Sequence, residues 1–423
     1  MKFLPLDPAS LRAARGQPLT VRIGFEVDAD IVFDPDVSLE LFDAGGARVH
    51  ASNLRMQVDA SWLPRGRYVA HWLCGACTLR PGNYRMRCGA HVLRGGTVQA
   101  TDSLEATLEV AAGTSGVGSG AQDPAALQAS WQLAAAEGTA PLETLSWRKG
   151  HADWFFRHFD HAARTIISYM LGDSPLLRGR VLDVGCGDGI TDLGIALRCE
   201  PELLVGVDPF RGFDRLPQIL AENGLGTLAM PKSLRYMDAD ANHLPFPDDS
   251  FDVVLSWGSL EHIAGGYLQA LREIKRVLRD GGLLFVHPGL YYSNYGHHLG
   301  EFSSEPFFHL KQSQESLREF VLAGTPEYMD RSGEFATPAQ YWQWYTELNP
   351  ITVAGFEQEL RALGFEPWRV AIRTEDRIEY TPELLRYPMQ DLATVELYLS
   401  CINRKQPRPP GYRQLDPAEG GFS

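Results

Sequence analysis

The stretch that decides the fold is Val181-Leu-Asp-Val-Gly-Cys-Gly-Asp-Gly189. A short apolar strand runs directly into three glycines at every second position, and a helical pattern follows at residues 190–198. Glycine lets a backbone turn sharply and approach a ligand closely, and the N-terminus of a helix offers free N–H groups. The glycines do not have the Gly-x-Gly-x-x-Gly spacing that is typical of NAD sites. The stretch therefore predicts a strand–turn–helix that binds some other ligand.

Strands and helices alternate around this stretch, which predicts a mainly parallel sheet covered by helices on both faces. The predicted helices are residues 190–198, 265–279 and 353–363. The predicted strands are Arg180–Val184, Leu203–Val207, Leu234–Met237, Phe251–Ser256, Gly282–His287, Pro367–Arg373 and Thr394–Asn403. Asp208 ends the second strand, where a carboxylate can accept hydrogen bonds from two ribose hydroxyls. The alternative for Asp208 is a helix cap before Pro209.

Residues 180–288 resemble the class I methyltransferases that use S-adenosyl-L-methionine (SAM), in particular the type 11 group. Five motifs in the order and spacing of that family carry the resemblance. They are Val181–Gly189, Val205–Asp208, Asp240–Phe246, Ser250–Ser256 and Arg272–Leu284. The resemblance implies an α/β, Rossmann-like domain with a seven-stranded sheet, in which residues 394–403 form the antiparallel last strand. It also implies SAM as the cofactor.

The resemblance further implies which residues contact SAM. They are Asp183, Gly185, Cys186, Gly187, Gly189, Asp208, Pro209, Asp240, Ala241, Ser256 and Trp257. In such enzymes the glycine loop holds the methionine part, and Asp183 holds the loop. Asp208 binds the ribose, Asp240 and Ala241 bind the adenine, and the last two residues line the path to the sulfonium.

Methyl transfer requires a nucleophile in line with the methyl group and, for a hydroxyl acceptor, a base that removes its proton. The candidate bases are His262, His297 and His298. The candidate substrate contacts are Glu261, Tyr291, Tyr292 and His309. The alternative is a packed, aromatic-rich loop whose histidines are bonded internally. No metal is predicted, although Glu301 and Glu305 leave a Mg²⁺ site open as an alternative.

Residues 1–111 contain short β-type runs separated by turn signals, which predicts an all-β sandwich. The small residues of 112–122 predict a flexible linker. Helices are expected after it, one beginning at Asp123-Pro124 and a longer one at 151–171. The remaining predicted parts are a methyltransferase domain at 123–408 with a lid insertion at about 289–352, and a loose tail at 409–423.

The first domain is similar to the sandwich at the C-terminus of the ATPase subunit of O-antigen ABC exporters, a domain that binds the end of a polysaccharide. The similar stretches are Pro18–Val27, Val37–Gly46 and Leu79–Met86. Trp62 and Trp72 are candidates for stacking on sugars or for the core. The two resemblances together predict O-methylation of a glycan hydroxyl. One alternative is a small-metabolite methyltransferase whose sandwich serves docking or dimerisation, and another is a non-catalytic SAM-fold protein.

Bulk properties exclude some classes of function. The 423 residues carry a formal net charge of −14, which disfavours a nucleic-acid partner because phosphates would be repelled. The first 16 residues lack the apolar core of a signal peptide, and no stretch predicts membrane insertion. Six cysteines in a chain of this length predict reduced thiols and a cytoplasmic location. A homo-oligomer is compatible with the sequence.

The spacing of Cys74, Cys77, Cys88 and His91 resembles that of a zinc site, but Cys88 and His91 are expected on opposite faces of one strand.

Overall fold

The computed structural model describes residues 1–6, 11–53, 61–74, 77–94, 97–113, 130–135, 154–326 and 336–405. The chain divides into two compact units. One comprises Met1–Asp160 and Pro217–Met230, and the other comprises His161–Leu216 and Pro231–Ser423. Most of the predicted linker, the predicted helix start at Asp123-Pro124 and the predicted tail at 409–423 lie outside the described residues.

The first unit is rich in β-structure. Its strands are β1 (Lys2–Phe3), β2 (Arg12–Ala14), β3 (Leu19–Phe33), β4 (Pro35–Phe42), β5 (Arg48–Asn53), β6 (Trp62–Cys74), β7 (Gly82–Arg94), β8 (Thr97–Ala111) and β9 (Ser130–Ala135). They form a four-stranded sheet in the order β1-β3-β6-β9 and a five-stranded sheet in the order β2-β8-β7-β4-β5. Strand β9 pairs antiparallel with β6, where the sequence predicts helices. Its alternation of Trp131 and Leu133 with polar or small residues fits a strand better than a helix.

The predicted alternation along β7 is confirmed. Tyr84, Met86 and Cys88 are buried, whereas the arginines between them are exposed, because successive side chains of a strand point to opposite faces. His91 lies on the other face from Cys88 and contacts Ser38. This arrangement separates two of the four residues whose spacing resembles that of a zinc site.

The second unit contains an α/β fold. Its strands are β10 (Arg180–Val184), β11 (Leu203–Val207), β12 (Leu234–Met237), β13 (Phe251–Trp257), β14 (Leu278–His287), β15 (Phe365–Thr374) and β16 (Thr394–Asn403). The helices among the described residues are α1 (Trp154–Phe156), α2 (Ile190–Cys199), α3 (Leu216–Glu222), α4 (Leu268–Val277), α5 (Gln314–Ala323), α6 (Pro338–Glu347), α7 (Val353–Ala362) and α8 (Met389–Ala393). After α1 the helical path continues as π-helical turns at Arg157–Ala162 and Thr165–Met170, within the predicted helix at 151–171.

These strands form one seven-stranded sheet in the order β12-β11-β10-β13-β14-β16-β15. Strands β10 to β14 run parallel, and β16 lies antiparallel between β14 and β15. From β10 the chain first adds β11 and β12 on one side and then β13 and β14 on the other, so the strand order changes direction at β10. In open α/β sheets, ligands bind at such a reversal, beyond the carboxyl ends of the strands. The carboxyl ends of β10, β11 and β13 are therefore where a functional site is expected.

The apolar runs of the central strands are buried because helices cover the sheet. Leu182 and Val184 of β10 belong to a core cluster with Val254 of β13 and Leu284 of β14. Helices α4 and α7 contribute further members, including Ile274 and Phe356. This core holds the carboxyl ends of the strands in fixed register.

The predicted insertion at 289–352 has a hydrophobic cluster of its own. Leu299, Phe302 and Phe308 pack with Leu317 and Val321 of α5 and with residues of α6. The part at 327–335 lies outside the described residues. Among the residues that the structure describes, no helix combines the length and the apolarity needed to cross a membrane.

Candidate functional site

The glycine loop between β10 and α2 is held by side chains from two other strands. Gly185, Gly187 and Gly189 all have positive φ angles, of 79°, 54° and 74°. The hydroxyl of Ser259, which follows β13, donates a hydrogen bond of 2.8 Å to the carbonyl oxygen of Gly185. The hydroxyl of Tyr236 in β12 donates another, also of 2.8 Å, to the carbonyl oxygen of Gly189. The loop is therefore fixed at both ends by residues that the sequence did not single out.

Asp208, at the end of β11, connects this loop to the next turn. One carboxylate oxygen accepts a hydrogen bond of 3.1 Å from the N–H of Gly187, and the other accepts one of 2.8 Å from the N–H of Phe210. A Cβ atom added to Gly187 would meet nothing within 4 Å. The structure thus leaves open space over the middle of the loop, with a buried carboxylate at its edge.

Two further carboxyl groups lie buried beneath the loop. Asp183 is 4% exposed, and Asp192 in α2 is fully buried. Burial and the charge of Asp208 together raise the pKa of Asp183 to about 7, although a hydrogen bond with Asp192 opposes this rise. Burial and the neighbouring Asp183 also raise the pKa of Asp192 well above its ordinary value. The pair therefore holds protons at a pH where exposed carboxyl groups are ionised.

The other predicted cofactor residues line the same edge of the sheet. Asp240 is exposed and accepts a hydrogen bond of 2.9 Å from the N–H of Asn242. Ser256 is buried, and its hydroxyl has no hydrogen-bond partner among the described residues. The Trp257 ring packs against those of Phe285, His287 and Tyr398. The three remaining residues differ in exposure: Pro209 is exposed, Ala241 partly buried and Cys186 half-buried.

A second cluster joins the turn after β13 to the loop after β14. Glu261 is 2% exposed, and its Oε1 atom lies 3.7 Å from Nε2 of His298 and 4.0 Å from Nε2 of His262. The rings of the two histidines are 4.8 Å apart. Burial opposes ionisation of Glu261, but the two imidazoles and the N–H of Gly289 hold the pKa of its carboxyl at about 2. The structure thus brings together three of the predicted catalytic and substrate-binding residues.

His297 lies in a different environment from this cluster. Its Nε2 is 2.9 Å from the carbonyl oxygen of Asn294, its Nδ1 accepts a hydrogen bond from the N–H of Leu299, and it is 1% exposed. Burial lowers the pKa of His297 well below its ordinary value. Because the backbone contacts both ring nitrogens, the geometry favours a structural role for His297 in the loop over its predicted role as a base.

Three other predicted substrate contacts pack into the insertion. His309 is buried, stacks on His297, and has Nε2 3.0 Å from the carbonyl oxygen of Tyr291. The hydroxyls of Tyr291 and Tyr345 are 2.6 Å apart. Tyr292 packs against Tyr387. These contacts agree with the packed-loop alternative for this part of the chain.

Both acids of the alternative Mg²⁺ site contact other side chains in the described structure. Glu305 forms an ion pair with Lys311 at 3.0 Å, and Glu301 accepts a hydrogen bond from the hydroxyl of Tyr341. Within the described ranges, the residues that meet the geometric requirement of a metal site are Glu261, His262 and His298.

The sheet order, the glycine loop and the acid at the end of β11 define a class I methyltransferase fold. Residues 182–286 match the family of methyltransferase domains. This part of the chain is therefore a methyltransferase domain, and its cofactor is SAM.

Known methyltransferases are similar to parts of the chain. A 2-methyl-6-phytyl-1,4-hydroquinone methyltransferase of rice chloroplasts (Oryza sativa subsp. japonica) is 36% identical over 149 residues, which are 34% of this chain and 38% of that enzyme. A ubiquinone biosynthesis O-methyltransferase of Azorhizobium caulinodans is 28% identical over 234 residues, 53% of this chain and 76% of that enzyme. The structure of a geranyl diphosphate methyltransferase in complex with SAM aligns over 57% of this chain and 84% of that enzyme's chain. The sequence identity is 12%, and the TM-score is 0.36. The chain thus spans about two fifths of the length of the rice relative.

The residues around the glycine loop fit SAM. The space over Gly187 leaves room for a ligand next to the loop. One buried oxygen each of Asp183 and Ser256 has no partner in the described chain, so these two groups are available for hydrogen bonds with that ligand. Asp208 lies at the position where a carboxylate can bind ribose hydroxyls. The glycine loop, Asp183 and Asp208 would hold the cofactor.

Proposed function

We propose that the protein is a SAM-dependent methyltransferase that methylates a hydroxyl group, with the acceptor entering beside Glu261, His262 and His298. One observation carries this proposal. Ser259 binds the carbonyl oxygen of Gly185, and Glu261 follows two residues later in the same turn. The cofactor loop and the acceptor-side cluster are therefore connected by one short, hydrogen-bonded segment.

The chain's own residues would act by holding and positioning. Asp183 and Asp208 fix the glycine loop and the cofactor's polar groups, and Trp257 covers the path between cofactor and acceptor. When bound, SAM supplies a methyl group on a sulfonium, which is a good leaving group. Glu261 is ionised and anchors the two imidazoles, and His262 or His298 takes the proton of the acceptor hydroxyl. His297 is not part of this proposal because the backbone uses both of its ring nitrogens.

For the acceptor we propose a glycan. We infer that the two sheets of the first unit form a β-sandwich, and the resemblance of residues 1–111 to a polysaccharide-binding domain supports a glycan partner. Trp62 and Trp72 do not support it, because both are 3% exposed and so pack in the core. We further propose that the insertion at 289–352 covers the acceptor. The free thiols of Cys88, Cys186 and Cys401 support a cytoplasmic location.

A second candidate acceptor is a small hydroxylated metabolite. The names of the rice and Azorhizobium relatives favour it, since they refer to a hydroquinone and to ubiquinone biosynthesis. The two acceptor classes can be separated by measuring S-adenosylhomocysteine release by the full chain with a panel of oligosaccharides and with a panel of hydroquinones. Turnover with the hydroquinones alone would contradict the glycan proposal.

The cofactor site is tested with Asp208→Ala. Loss of the carboxylate removes both the ribose contact and the hydrogen bond to the N–H of Gly187. We expect SAM affinity, measured by calorimetry, to fall at least about tenfold, since a charged hydrogen bond contributes about 1.5–3 kcal/mol. A folded variant with the affinity of the unmodified protein would contradict the site.

A further inference from the structure

The cluster of Glu261, His262 and His298 has the composition of a metal site. One ligand atom from each side chain lies within 4.8 Å of the other two. Two imidazole nitrogens with one carboxylate oxygen are a common ligand set for first-row transition metals. The three residues come from two separate loops, so the fold and not local sequence brings them together.

The spacing of the donor atoms is close to that of a bound ion. Metal–ligand bonds of about 2.0–2.1 Å in a tetrahedral site place neighbouring donors about 3.3 Å apart. Oε1 of Glu261 lies 3.7 Å from Nε2 of His298 and 4.0 Å from Nε2 of His262. All three donor atoms lie within 4.8 Å of one another, so the side chains would have to move closer together to bind an ion.

A buried polar atom provides an independent observation. Glu261 is 2% exposed, and its Oε2 atom has no hydrogen-bond partner in the described part of the chain. Nε2 of His298 is also buried without a hydrogen bond there. A buried carboxylate oxygen without a partner is costly, and a cation bound by both carboxylate oxygens of Glu261 would remove that cost.

We propose that Glu261, His262 and His298 bind one divalent first-row transition-metal ion, with Zn²⁺ as the reference ion. Mg²⁺ is disfavoured because it prefers oxygen ligands. Three protein ligands leave at least one coordination position open, as in catalytic zinc sites. The base role proposed for His262 or His298 applies to the cluster without an ion, because coordination through Nε2 occupies the lone pair that would take the proton. Metal binding itself does not depend on the proposed function, and only its location beside the acceptor rests on that function. The sequence predicts no metal, because His298 is 36 residues from His262 and their meeting depends on the tertiary fold.

The experiment is a Zn²⁺ titration of the chelator-treated, tag-free full chain by calorimetry. Co²⁺ serves as a second probe, followed by its visible absorption. The variants are Glu261→Gln and His298→Asn. Asparagine is chosen because His298 has a φ of 52°, a conformation that asparagine tolerates. His161→Ala, which removes an exposed histidine outside the cluster, is the matched control.

We expect one tight site per chain, with affinity lowered at least about tenfold in both cluster variants, since even loss of an outer-shell partner costs about 10–100-fold. His161→Ala should bind like the unmodified protein, and the Co²⁺ absorption should disappear only in the cluster variants. If His298→Asn does not fold, Glu261→Gln decides alone. The proposal is overturned if the unmodified chain has no tight site or if folded Glu261→Gln binds equally well. SAM binding measured on the same chelated protein tests the proposed function separately.

Discussion

Gly206 makes room for the buried carboxyl pair. It lies opposite Asp183 in the pairing of β10 with β11, and a Cβ atom at this position would come within 2.3 Å of a carboxylate oxygen of Asp192. The same Cβ would also crowd the sulfur of Cys186. The missing side chain in β11 therefore allows an acid from α2 to reach the cofactor loop.

The raised pKa values of the pair predict how stability depends on pH. Asp183 titrates near pH 7 when folded but near its ordinary value of 3.8 when unfolded. Between these values the folded state keeps a proton that the unfolded state has lost, so the free energy of unfolding falls as pH rises from about 4 to about 7. Asp192 contributes in the same direction. Asp192→Asn should reduce this fall by at least about 1 kcal/mol in urea unfolding at pH 5 and pH 7.

The exposed Asp376 provides the control for this experiment, because Asp376→Asn removes a carboxylate without changing a buried pair. Its pH dependence should match that of the unmodified protein. An identical pH slope for Asp192→Asn and the unmodified chain would refute the explanation.

Gly185 is predicted to tolerate no side chain. An added Cβ would lie 2.3 Å from the Cβ of Ser259, in addition to the strain of the positive φ angle. Gly265 has a similar φ of 77° but open space around it. Gly185→Ala should therefore lower the free energy of unfolding by about 1–3 kcal/mol more than Gly265→Ala does. Its melting temperature should accordingly be clearly the lower of the two. Equal melting temperatures would show that the Ser259 contact is not tight.

Arg276 in α4 holds the loop that leads from Asp240 to β13. Its guanidinium donates hydrogen bonds of 2.9 and 2.7 Å to the carbonyl oxygens of Leu244 and Phe246. Glu273, one turn earlier, accepts one of 2.9 Å from the N–H of Leu244. The position of this loop on the helix thus depends on two charged side chains of α4.

Replacing this arginine tests the role of the helix. Arg276→Met leaves two carbonyl oxygens without their donor, so we expect a loss of about 1–3 kcal/mol of stability and weaker SAM binding, measured by denaturant titration and calorimetry. Arg272→Met on the exposed side of the same helix should change neither quantity. A stable Arg276→Met variant with full SAM affinity would mean that the loop keeps its conformation without this arginine.

The strands of the second unit were readable from the sequence because buried parallel strands form continuous apolar runs. Strands β10, β11, β12 and β16 begin and end at the predicted residues. Helix α6 also had a readable signal, since Thr337 and Gln340 form a capping box around Pro338. Contacts between distant residues had no such signal. Ser259 lies 74 residues from Gly185, and only the register of the sheet brings them together.

The division into two compact units predicts which parts of the chain SAM binding stabilises. Ligand binding stabilises the state that binds it, by about 2.7 kcal/mol at a concentration of 100 times Kd. We expect SAM to slow amide hydrogen exchange in β10, β11 and the loop between Gly185 and Gly189, measured by mass spectrometry. Strands β3 and β7 of the first unit should exchange at unchanged rates. Slower exchange in those strands would show that the two units respond together.

The C-terminal end of the insertion is hydrogen-bonded next to the cluster of Glu261, His262 and His298. The N–H of Asn349 donates a hydrogen bond of 2.7 Å to the carbonyl oxygen of Glu261, and its side-chain amide donates to the carbonyl oxygens of Leu260 and Ile263. The insertion can therefore diverge in sequence between its two ends while its exit point keeps the acid-bearing turn in place. Under the proposed function, a change of acceptor preference requires substitutions in the insertion alone and none in the turn that carries Glu261.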